Sequence, residues 1–136
     1  MHLINDNLLD TVTSQAKDSK RLRMNYNLHD SLDAKAQRLL NALEVGTSLP
    51  IHRHIHTSET YILLRGKIKV MFYDKNLIDG KYKLVEETVL DPLVDNYGVH
   101  IPAKQWHTLE VLESGSVIFE VKDGPYTPLG EDDILR

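Results

Sequence analysis

The chain contains no cysteine, which removes disulfides, thiolate nucleophiles and cysteine-ligated zinc from consideration and agrees with a reducing compartment. It has no apolar run approaching the roughly 20 residues of a membrane-spanning helix, so no membrane role is expected. It also lacks a basic excess. A formal charge of −4 and a pI near 5.9 leave no electrostatic footprint for nucleic acid. The one short basic stretch, Lys17 to Arg23, reads as a solvated helix end and strand start. Residues 1–10 lack the basic, apolar and small-residue succession of a secretory signal, and the expected location is the cytoplasm. With 136 residues and no internal repeat, low-complexity tract or linker-like change in composition, a single domain is expected over residues 1–136.

What is present is organised by short periods. Asn5 or Asp6 can cap a first helix whose apolar positions Leu8, Leu9, Val12 and Ala16 fall at helical spacing, with an exit at Asp18 and Ser19. Leu22, Met24, Tyr26 and Leu28 then alternate with Arg23, Asn25, Asn27 and His29, the period-two pattern of a strand with one polar face. Residues 30–35 read as a turn. Residues 37–44 favour helix by propensity but suit a strand beside the β-rich remainder of the chain. From Gly46 onward, short strands separated by turn signals predict an all-β fold, with strands over 61–64, 67–73, 82–90, 99–101, 107–112 and 117–122. The N-terminal helix and flanking strands occupy 1–45, the core 46–122, and an acidic, loop-like C-terminal tail 123–136 that can serve as a covering flap.

Five of the seven histidines lie between His52 and His107. Residues two apart on a strand point to one side, so His52 and His54 can present their imidazoles to a single ion, and Glu59 returns a carboxylate after a turn. His107, at the start of an apolar-alternating run, can supply a fourth donor from a neighbouring strand. Neutral imidazoles with one carboxylate suit one divalent transition metal such as Fe, Mn, Zn, Ni or Cu. His56 continues the alternation as a spare donor or an exposed histidine, and His100 can face either side.

The spacing of Gly46, His52, His54, Glu59 and Gly66 in "GTSLPIHRHIHTSETYILLRG" resembles the first motif of the cupin superfamily. "GVHIPAKQWHTLEV" resembles the second, with Lys104 where a glycine is usual and Val111 where an asparagine is usual. The flanking segments "SKRLRMNYNLHDS" and "SGSVIFEVKDGPY" bring the chain closest to the WbuC-type cupin metalloproteins, found with bacterial surface-polysaccharide gene clusters. The resemblance implies a double-stranded antiparallel β-barrel of jelly-roll type, a metal on His52, His54, Glu59 and His107, and a homodimer.

Further candidates surround that set. Asn25, Asn27 and His29 share one strand face and can hydrogen-bond a polar ligand, or be a solvated face. Arg23 and Arg38 are candidate anion clamps. Trp106, Tyr61 and Tyr126 can form a stacking wall for a sugar ring, or fill the core. The expectation is a metal-dependent enzyme, an isomerase or oxygenase, acting on a small polar or sugar-type molecule, in surface-polysaccharide metabolism. The alternatives are a non-catalytic carbohydrate- or acid-binding cupin and a metal-independent sugar epimerase, which a full ligand set disfavours.

Overall fold

A computed structural model describes residues 1–76 and 78–135; Arg136, the last residue of the expected tail, lies outside the described residues. The chain opens with helix α1 (Asp6–Asp18), capped by Asn5, whose side chain accepts a hydrogen bond from Leu8 N at 3.1 Å. Among the described residues eight strands succeed it: β1 (Arg23–Asn27), β2 (Ala36–Leu43), β3 (Glu59–Arg65), β4 (Ile68–Lys75), β5 (Tyr82–Leu90), β6 (Gly98–Ile101), β7 (Trp106–Val111) and β8 (Ser116–Asp123). They form two antiparallel sheets, ordered β1-β2-β8-β3-β6 and β5-β4-β7. The predicted all-β class is the observed one, and the ambiguous 37–44 segment is strand β2, where pairing with β1 and β8 overrides helical propensity. No helix among the described residues is long and apolar enough to cross a membrane.

The buried apolar side chains fall in two separate clusters. Between the sheets, Leu43, Tyr61, Leu63 and Ile118 meet Ile68, Val70, Leu90, Leu109 and Val111. Outside the larger sheet, Leu9, Val12 and Ala16 of α1 cover Leu40, Ala42 and Val117, with Met24, Tyr26 and Phe119 at the margin. On β1 and on the C-terminal half of β8 the apolar residues therefore face the helix. Their polar partners Asn25, Asn27, Glu120 and Lys122 are turned toward the other sheet.

The loop before β4 depends on Gly66, at φ +97. A Cβ there would fall 2.5 Å from Ser116 Cα, a backbone position that cannot yield without moving β8. Gly80 also has positive φ, +68, but has open space around it. Gly66→Ala should therefore cost roughly 3 kcal/mol or more and Gly80→Ala about 1 kcal/mol. Thermal or urea unfolding of the two variants checks this; equal losses would mean that the backbone dihedral alone, and not the close approach to Ser116, sets the cost.

Candidate metal centre

Residues 50–58 precede β3 as an irregular segment, correcting the strand expected to carry His52 and His54. On one side the tail ties it, Arg53 N donating to Asp133 O at 3.0 Å and Leu135 N to Ile51 O at 2.8 Å. Toward the second sheet a backbone pair fixes it, His52 N donating to His107 O at 3.0 Å and His107 N to His52 O at 2.8 Å. The turn at 102–105 adds a second tie, Lys104 N to His54 O at 2.7 Å. Lys104 takes φ +73, the left-handed conformation in which glycine is the usual residue. The departure from the second cupin motif thus keeps the turn and places strain in it.

Glu59 opens β3 in one sheet and His107 lies on β7 in the other, so the cluster spans the gap between them. One donor atom from each of His52, His54, Glu59 and His107 falls within 4.8 Å of the others. The imidazole rings of His52 and His107 are 4.3 Å apart between centroids, and those of His52 and His54 5.3 Å. Carbonyl oxygens fix two of the tautomers: His52 Nδ1 lies 2.9 Å from Pro50 O and His107 Nδ1 2.9 Å from Gln105 O. A carbonyl only accepts, so both Nδ1 atoms carry hydrogen and both Nε2 atoms keep a lone pair. His54 Nε2 contacts Glu59 Oε1, and His107 Nε2 lies 3.8 Å from it.

Glu59 Oε1 and His107 Nε2 are buried and make no hydrogen bond. Buried polar atoms without partners are costly, and two converging on one point fit a cation there. Three nitrogens and a carboxylate oxygen are a donor set for a first-row divalent metal. Electrostatics agree with neutral His52 and His107 imidazoles beside an ionised carboxylate. Burial, followed by the His107 charge, lowers the His52 pKa to about 4, and burial lowers that of His107. Burial pushes the Glu59 carboxyl up, but its close contact with His54 and the charges of His54, His107 and Lys122 outweigh this and hold it at about 2.

The cluster opens into a cavity of about 270 Å³, lined on its other walls by Arg21, Arg23, Asn25, Asn41, Glu120 and Lys122, with Tyr126, Thr127 and Leu129 of the tail across it. Of the expected ligand-contacting residues, Arg23, Asn25, Tyr61 and Tyr126 line this space. Asn27 is exposed farther along β1, and His29 holds its ring against the Arg38 backbone, Nδ1 lying 3.0 Å from Arg38 O. Arg38 is on the same face of β2 as Leu40 and Ala42, the helix side, so strand alternation removes it from the cavity as an anion clamp. Trp106 points away from the cluster, because its neighbour His107 points into it. Its ring lies beneath the Arg53 guanidinium, 4.6 Å away, and edge-on to Tyr82 at 5.1 Å, so it is not a wall for a sugar in this cavity. His56 is exposed, and His100 is exposed on β6 with Nδ1 3.0 Å from Thr60 Oγ1.

Sequence reasoning misses Arg21, read there as part of a solvated basic stretch, and Asn41, Glu120 and Lys122 among the residues of this cavity. Asn41 Nδ2 donates to Glu120 Oε1 at 2.9 Å, and burial with the Glu59 charge pushes the Glu120 carboxyl up to about 7. The available signal is the strict alternation of Glu120 and Lys122 with Phe119 and Val121, the same pattern that exposes Asn25 and Asn27.

A family model described as "Domain of unknown function (DUF6016)" matches residues 4–82, a span that holds His52, His54 and Glu59 and stops short of His107. No curated protein matches the chain. Among solved structures, the capsular polysaccharide assembling protein CapF from Staphylococcus aureus aligns with TM-score 0.60 and 17% identity over 81% of this chain, which spans only 30% of that one. A cupin superfamily protein from Desulfitobacterium hafniense aligns with TM-score 0.56 and 16% identity, over 74% of this chain and 76% of its own. Oxalate oxidase in complex with the substrate analogue glycolate aligns with TM-score 0.59 and 12% identity, over 82% and 56%. The architecture is that of the cupin fold.

The depressed His52 pKa gives a signed prediction. The unfolded chain binds a proton at His52 near pH 6.5 and the folded metal-free chain only near pH 4, so this contribution to stability is complete above 6.5 and is lost as pH falls through 4. Wild type should lose at most about 3 kcal/mol more than His52→Gln across that window. Chemical unfolding of both metal-free proteins at pH 7, 5.5 and 4 measures it, and parallel curves would refute the depressed value.

Proposed function

The chain belongs to the DUF6016 family, and on that premise we propose that it is a cupin that holds one divalent transition metal on His52, His54, Glu59 and His107. The observation that carries this reading is the convergence of four donor atoms within 4.8 Å, two of them buried without any other partner. We propose further that it is a metalloenzyme acting on a small polar, sugar-type molecule. The polar cavity beside the cluster supports this, as does the likeness in fold to a capsular polysaccharide assembling protein. A role in bacterial surface-polysaccharide metabolism, the setting of the WbuC-type proteins, belongs to the same reading.

A metal bound there would polarise a substrate oxygen and ease loss of a neighbouring proton. The residues around it have separable tasks. His52 and His107 donate through Nδ1 to main-chain carbonyls, which fixes their rings before any ligand arrives. Glu120 faces the cavity on β8, anchored at Oε1 by Asn41, and its raised pKa lets a carboxylate oxygen hold or release a proton near neutral pH. Tyr126, Thr127 and Leu129 bring the C-terminal tail into the lining of the same space.

Elemental analysis of protein purified without chelator should find close to one metal per chain in wild type. His54→Ala and His107→Ala, checked for folding by circular dichroism, should each weaken retention by at least about tenfold. A wild type that stays metal-free after titration with Fe, Mn, Zn, Ni and Cu would remove the metal reading. Incubation with candidate sugars then separates catalysis from binding. Product seen by mass spectrometry and lost with the metal supports an enzyme, and thermal stabilisation without product supports a binding protein.

A further inference from the structure

The cavity beside the cluster carries more positive charge than its acids answer. Arg21, Arg23 and Lys122 all line it, and none of the three forms an ion pair among the described residues. Arg21 and Arg23 are close enough that, after burial, the charge of Arg21 is what lowers the Arg23 pKa. Like charges held together at the mouth of a cavity are unfavourable unless an anion joins them.

The backbone is arranged to keep them there. Between the two arginines, Leu22 takes φ +56, a conformation that a bulky side chain rarely adopts, and strain of this kind gathers at functional sites. The turn is tied on both sides. Leu22 N donates to Ser19 O at 3.0 Å, Glu44 N to Leu22 O at 2.9 Å, and Thr47 Oγ1 to Arg21 O at 2.6 Å. Arg23 Nη1 donates to Ser48 O at 2.9 Å, which aims the guanidinium while leaving its other nitrogens for a ligand.

The inner wall asks for a different group. Asn41 gives its amide hydrogen to Glu120, and its Oδ1 is buried with no partner. That atom only accepts, so what satisfies it is a hydroxyl or amine hydrogen. A volume of about 270 Å³ lies at the lower end for small-molecule sites and suits a metabolite of a few carbons.

We infer that the ligand of this cavity is an anionic polyhydroxy compound, a sugar acid or sugar phosphate. Its carboxylate or phosphate lies on Arg21, Arg23 and Lys122, and a hydroxyl meets Asn41 Oδ1. This deepens the proposed function and rests on the same cavity, but the anion subsite is separable from the metal. Arginine provides paired parallel donors for either anion, and both sources are compatible with the site.

Titration calorimetry with three probes of one carbon skeleton tests this: D-gluconate, D-glucitol 6-phosphate and neutral D-glucitol, each against zinc-loaded protein. At least one anion should bind ten or more times tighter than glucitol, and the stronger of the two identifies the source. In Arg21→Gln/Arg23→Gln at unchanged zinc content, the preference should fall below about threefold while glucitol binding stays the same. Arg21→Gln/Lys122→Gln, which leaves the Arg23 to Ser48 bond intact, gives the same test if the first variant does not fold. Repeating the series on zinc-free His54→Ala separates the two readings, because a preference that persists there and vanishes with the arginines supports the anion subsite even if the metal assignment fails. Binding of neither anion, equal binding of all three probes, or a preference that survives both double variants overturns the proposal.

Discussion

The site depends on one reciprocal pair of backbone hydrogen bonds between His52 and His107. Residues 50–58 make no regular ladder; that pair brings His52 into register with the second sheet, while bonds from Arg53 N to Asp133 O and from Leu135 N to Ile51 O hold the segment from its other side. The pair joins a residue just before β3 of the larger sheet to β7 of the smaller one. It therefore sets the distance between the two ligand-bearing parts of the chain and registers the sheets against each other. The Lys104 to His54 bond extends the same clamp to a second histidine. A left-handed lysine is tolerated in that turn because the bond it makes is needed where it is.

Polarity inside the fold is a consequence of where the helix sits. In a simple two-sheet fold the facing surfaces are apolar throughout, but α1 covers the outside of β1, β2 and β8 and takes Met24, Tyr26, Leu40, Ala42, Val117 and Phe119, while Leu43 and Ile118 of the same strands stay in the core between the sheets. The opposite faces of β1 and the end of β8 are then free to be polar. Asn25, Asn41, Glu120 and Lys122 collect beside Glu59 with the other sheet across from them. Burial there raises the pKa of Glu120 and lowers those of His52 and His107, each change favouring the neutral form. Glu59 is the exception, kept ionised by its histidines and Lys122.

The four candidate ligands are legible in the sequence because they lie at fixed spacing with chemically distinctive side chains, and the strand over 82–90 because turn residues bound it on both sides. The irregular course of 50–58 is not legible, since period-two histidines read as a strand until a partner strand is sought and none pairs beyond His52. Asn41 and Glu120 are invisible for another reason. They are 79 residues apart, and only the β2-β8 register brings them together. Residue type alone points Trp106 and Arg38 at the ligand, whereas strand parity, set by His107 and Leu40 beside them, puts both on the outside.

Anomalous diffraction at the zinc edge, on crystals of the protein grown with zinc, tests the central claim directly. A single strong peak is predicted about 2.0–2.2 Å from Nε2 of His52, His54 and His107 and from a carboxylate oxygen of Glu59. A peak lying elsewhere, or zinc-loaded crystals with no peak between those four side chains, would contradict it.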